Sequence, residues 1–150
     1  MAINIERIHR ETTNKCIDLD NIVIDISKKI SSGSLSNNEN TVKLLGIVMC
    51  ISNNLSCLNT ASVRKDYDEI TRMELFRCLD NFSTSYILTI LSKLKDNDEI
   101  SFNEVCSIEN INNTLIKTML IYFKLKGIHN IEEYSSLKEL LIANNLEEVE

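Results

Sequence analysis

Not one proline interrupts the 150 residues of this chain, and only three glycines do. An average chain of that length carries about seven prolines and about ten glycines. Few turns can therefore fix φ or adopt left-handed dihedrals, which disfavours an all-β sandwich or barrel. Apolar residues instead recur at three- and four-residue steps nearly everywhere, the mark of helices with a buried face. The expectation is an all-α fold: a compact single-domain bundle of about seven to nine short helices spanning 1–150, with 1–15 and 144–150 frayed. The length allows one core that needs neither disulfides nor metals as staples.

Candidate caps divide the pattern. Asp18 or Asp20 is expected to open a helix whose Ile22, Val23, Ile26 and Ile30 form one stripe, with Ser31-Ser32-Gly33-Ser34 ending it. Asn38 or Asn40 opens the most apolar helix, carrying Val42, Leu44, Leu45, Val48 and Met49, and Asn53-Asn54 is read as its stop. A shorter element follows at 61–67, then 68–79 with Ile70, Met73, Phe76 and Leu79. Ser83 caps a helix with Ile87, Ile90, Leu91 and Leu94. Ser101 with Glu104 forms a capping box for a short turn carrying Phe102, Val105 and Cys106. Asn112 or Asn113 begins the last long helix, with Leu115, Ile116, Met119, Leu120 and Phe123, which Gly127 closes. A final helix at 130–141 is opened by Asn130 and Glu133. Leu44, Leu45, Val48, Ile87, Ile90, Leu115, Ile116, Met119 and Leu120 are expected in the core.

Charge and cysteine usage narrow the class. A net charge of −6 argues against broad binding to duplex nucleic acid, which needs clustered Lys and Arg. Cys16, Cys50, Cys57, Cys78 and Cys106 are odd in number and never reach CxxC spacing, so free reduced thiols are expected. The start of the chain lacks a signal-peptide pattern, and the apolar runs at 44–51 and 119–123 are too short for a bilayer. A soluble protein of the cytoplasm or nucleus is expected, with the cytoplasm preferred. Abundant isoleucine and asparagine suggest an AT-rich coding sequence, viral or parasite.

Catalytic and metal chemistry find no purchase. His9 and His129 have no Cys, Asp or Glu at ligand spacing. Residues 96–104 resemble half a calcium loop, but Lys93 and Lys95 stand where the first and third ligands belong. Three isolated glycines build no phosphate loop. Asp66, Asp68 and Glu69 interleave with Arg64, Lys65 and Arg72 as a solvated mixed-charge face. No enzyme, metal or cofactor is expected. What remains is a partner surface: Arg64, Lys65, Arg72 and Arg77 lie near Tyr67 and Phe76, and Lys117, Lys124 and Lys126 line the last long helix. Cations beside aromatics suit an acidic protein surface or single-stranded RNA.

The order of elements resembles the helical core of filovirus transcription activators and pneumovirus antitermination factors over roughly 18–141. An Ile-rich helix precedes the run Val42-Lys43-Leu44-Leu45-Gly46-Ile47-Val48-Met49-Cys50. Lys93-Leu94, Ser101-Phe102 and Thr114-Leu115-Ile116 then sit at similar spacings. The resemblance implies a nonenzymatic adaptor that docks on nucleoprotein or phosphoprotein and tunes viral RNA synthesis, often as a homo-oligomer. The zinc finger that precedes that core in those families has no counterpart in this sequence. The chain also resembles, in length and composition, poxvirus Bcl-2-like inhibitors, which block host death or immune signalling through a helix-binding groove.

Overall fold

A computed structural model describes residues 4–64 and 68–125. It is all helical there: α1 (Ile5–Ser31), α2 (Glu39–Ser62), α3 (Glu69–Asn81), α4 (Ser85–Lys95) and α5 (Phe102–Leu125). Five long elements among the described residues replace the seven to nine short ones expected. Three helices run straight through positions read as boundaries. Asp18 and Asp20 lie inside α1, Asn53 and Asn54 inside α2, and Asn112 and Asn113 inside α5. Residues 5–15, expected to fray, form the first turns of α1, where Ile8 is buried. The element expected at 61–67 is in part the end of α2, while 65–67, Gly127, the helix at 130–141 and 144–150 lie outside the described residues.

The true boundaries are set by side chains that satisfy orphan backbone amides. Asn4 Oδ1 accepts the Arg7 amide and Asn38 Oδ1 the Thr41 amide, each at 2.9 Å. Gly33 takes φ +79 after α1, and the Ser34 amide donates back to the Lys29 carbonyl at 2.9 Å. That six-to-one bond needs a left-handed residue, which glycine adopts without steric cost. The capping box at the start of α5 forms as read: Ser101 Oγ accepts the Glu104 amide at 3.1 Å, and Glu104 Oε1 accepts the Ser101 amide at 3.0 Å. Ser101→Ala should lower stability by about 0.5–2 kcal/mol. A urea midpoint indistinguishable from wild type would show that this cap contributes nothing.

α2 sits at the centre, packed against α1, α3 and α5, while α4 and α3 also pack on α1. Thirteen of its residues are buried, including Leu44, Val48, Ile51, Leu55 and Leu58. One cluster joins these to Leu19 and Ile26 of α1, Leu75, Phe76 and Leu79 of α3, Ile87 and Leu91 of α4, and Ile108 and Ile116 of α5. Every expected core residue whose side chain is described is buried; Leu120 lies outside that set. By length and composition α2 is also apolar enough to cross a membrane, although no uninterrupted run in it reaches that length. More than half of the qualifying stretch is buried in the fold, as for a core helix.

Candidate functional site

Six cations among the described residues tie one helix to another. Lys15 of α1 donates to the carbonyls of Leu79 and Phe82, at 3.2 and 2.7 Å, where α3 ends. Lys29, four turns later, donates to the Lys95 carbonyl at the end of α4, at 2.7 Å. A cation at a helix C-terminus meets the negative end of the dipole and satisfies free carbonyls. Arg7 pairs with Glu11 and Asp80, Lys43 with Glu109, Lys93 with Glu104, and Lys95 with Asp25. The Ser101 amide, and then Lys93, hold the Glu104 carboxyl below the usual carboxylate range.

Of the four cations read as a partner surface, Arg72 and Arg77 lie on different sides of α3. Arg64 follows the end of α2 and has an interaction of its own, and Lys65 lies outside the described residues. Arg72 and Arg77 are five residues apart on α3, so they diverge by about 140° around the helix. Arg72 is half-buried, with Nε enclosed and unpartnered, on the side that buries Leu75, Phe76 and Leu79. Arg77 is exposed.

A groove of about 450 Å³ lies between α3 and α5, both of which rest on α2. Cys78, Asn81 and Phe82 form one wall; Asn110, Ile111, Thr114, Leu115 and Thr118 form the other. None of these carries a charge, and Leu115 is buried at the base. Arg77 stands one turn before Asn81, and Lys117 stands three residues after Thr114, so an exposed cation flanks each wall. Glu74, a turn before Cys78, is the acidic exception. Sequence reasoning missed this groove because it broke α5 at Asn112. The spacing Ile108, Ile111, Leu115, Thr118 continues through that point and carried the signal.

Two other features bear on chemistry. A polar cavity of about 640 Å³ lies between the α1–α2 and α4–α5 connections, lined by Asn38, Glu39, Thr41, Asp98 and Glu99 among others. Among the described residues no three His, Cys, Asp or Glu side chains converge as a metal site. None of the five cysteines is in a disulfide, and all are half-buried. Burial pushes the Cys16, Cys50 and Cys78 thiols up, which keeps them protonated and poorly nucleophilic at neutral pH. No family model, curated protein or solved structure matches this chain.

Proposed function

We propose that the protein is a nonenzymatic viral adaptor of the host-cell cytoplasm that binds nucleoprotein or phosphoprotein and so modulates viral RNA synthesis. The observation that carries this reading is the uncharged α3–α5 groove, with exposed Arg77 and Lys117 beside the helix positions that line it. It suits a segment that presents apolar side chains between carboxylates: the apolar groups enter the groove, and the acids meet the cations at the rim. Such rim charges speed encounter and select the partner more than they tighten binding. The same groove flanks the central helix, which also favours a second reading, a Bcl-2-like inhibitor that captures an amphipathic helix of a host signalling protein.

Affinity capture from infected and uninfected cells, with and without nuclease, separates the two. Nuclease-resistant recovery of nucleoprotein or phosphoprotein is the expected result. Recovery of host death or immune-signalling proteins from uninfected cells would replace it with the second reading, and nuclease-sensitive recovery would point to RNA. Thr114→Arg fills the groove from an exposed position, and Arg77→Glu reverses one rim charge. Either should weaken the captured partner by roughly tenfold or more, as loss of a central contact does. Unchanged affinity in both variants would remove the groove from the binding site.

A further inference from the structure

The end of the chain carries the chemistry that the α3–α5 groove suits. Residues 128–150, which lie outside the described residues, hold six of the 22 acidic residues but only one of the 16 Lys and Arg, Lys138. Ile131, Tyr134, Leu137 and Leu141 recur there at three- and four-residue steps, the spacing that puts apolar groups on one stripe of a helix. Glu132, Glu133 and Glu139 are interspersed with them, and Glu147, Glu148 and Glu150 follow. A segment that presents apolar side chains between carboxylates is thus part of this chain itself.

Chain connectivity places that segment within reach of the groove. α5 runs to Leu125, seven residues past Thr118 and fourteen past Ile111, about 10 and 21 Å along its axis. The stretch from Asn130 to Leu141, read from the sequence as a helix, would be about 18 Å long. A reversal at Gly127, the stop read from the sequence, returns that length along α5 over the groove. Leu137 then comes level with Thr118 and Leu141 with Thr114, since each pair is equally distant from the turn. Cys78, Phe82 and Ile111 on the walls are only half-buried, which leaves apolar surface for such a stripe to cover. Arg77 and Lys117 are exposed, and neither pairs with an acid among the described residues. They remain for carboxylates of the segment; Glu74, a turn before Cys78, opposes it.

We infer that residues 128–150 occupy the α3–α5 groove of their own chain, so that any other partner must displace them. The inference rests on the reading of that groove as a site for acidic amphipathic segments, and it adds the regulation of that site. A segment joined to α5 by a short turn competes at an effective concentration of about millimolar. The apparent affinity of an external partner is then its intrinsic affinity reduced by the fraction of chains whose groove is free.

Two reciprocal measurements on the 150-residue chain test it. Cys78 lies on the groove wall, so its alkylation by N-ethylmaleimide, followed by peptide mass spectrometry, reports whether the groove is covered. Leu137→Glu combined with Leu141→Glu should speed that reaction by about tenfold or more. Cys16 on α1 and Cys50 on α2 should keep their wild-type rates, which shows that the fold is intact. Should they also speed up, the second measurement decides alone. Lys138 offers trypsin a cleavage site within the segment. Thr114→Arg fills the groove and leaves the segment unaltered, so it should speed cleavage after Lys138 by about tenfold. Unchanged Cys78 alkylation in the first variant with Cys16 and Cys50 at wild-type rates, or unchanged Lys138 cleavage in the second, would overturn the inference. Protection that grows with protein concentration would overturn it too, because another copy's segment would then fill the groove. The two readings fail separately. Faster Lys138 cleavage in Thr114→Arg with unchanged partner affinity supports the inference and removes the partner from the groove, whereas weaker partner binding with unchanged cleavage overturns the inference alone.

Discussion

Leu44→Ala should cost about 2.7–5 kcal/mol and lower the thermal midpoint by roughly 6–15 °C, whereas Val42→Ala, two residues away, should change it by less than about 2 °C. Leu44 has no exposed surface and sits near the start of α2, the helix that α1, α3 and α5 all pack against. Removing its isobutyl group loses the transfer free energy of the buried carbons. It also leaves a void that three neighbouring helices cannot all close. Val42 is 55% exposed, and its methyl groups face solvent or a partner. Leu45, 8% exposed at the edge of the same core, should fall between the two and nearer to Leu44. Differential scanning calorimetry of the three variants decides the matter. Full retention of the midpoint in Leu44→Ala would mean that α2 does not occupy the centre.

The helical class and most of the core were legible because they depend on apolar spacing, which burial against any neighbour rewards. The spacing of Val23, Ile26 and Ile30, and of Ile87, Ile90, Leu91 and Leu94, placed those stripes on buried or part-buried faces. Local capping rules succeeded where the capping side chain accepts its own helix's amide, as at Asn38 and at Ser101. They failed at Ser83, since Thr84 holds the cap position of α4, and where a polar side chain has a tertiary partner. Asp20 looked like a cap but accepts a hydrogen bond from Ser52 of α2. Asn54 looked like a stop, and Asn112 like a start, because such side chains usually compete for nearby backbone groups. In the fold they bond each other across the α2–α5 contact. Each false boundary cut a long helix in two, which inflated the helix count and hid the groove on α5.

The surface was less legible for a related reason. Sequence proximity grouped Arg64, Lys65, Arg72 and Arg77, but helical rotation sends Arg72 toward the core side and Arg77 outward. Lys15 and Lys29 gave no signal at all, since a cation capping another helix is defined by that helix's position. The uncharged stretch from Leu44 to Val63 was visible as apolar character, yet only the fold divides it into a core side and an outer side. Charge pattern along a chain reports solvent exposure well. It reports which cations stand together only after the helices are rotated into place.

Asn112→Asp should be among the most damaging single-atom changes available, and its cost should depend on pH. Asn112 is fully buried, accepts a hydrogen bond from Asn54 Nδ2 at 3.1 Å, and has no partner for its own Nδ2. An aspartate fits the same volume and keeps the bond from Asn54, so the variant tests charge rather than shape. Desolvation disfavours the ionised form and raises the folded-state pKa of the new carboxyl above its unfolded value of about 3.9. Below that unfolded value both states are protonated, and the variant should come close to wild type. As pH rises between the unfolded and the folded pKa, the unfolded chain releases its proton and the native state does not. Stability is then lost by about 1.4 kcal/mol per pH unit, reaching roughly 3 kcal/mol or more at neutral pH. The measurement is the difference in urea midpoint between Asn112→Asp and wild type from pH 4 to pH 8. A difference that widens with pH places this position inside the α2–α5 contact; a small, flat difference would put the side chain in water and break the continuity of α5 on which the groove depends.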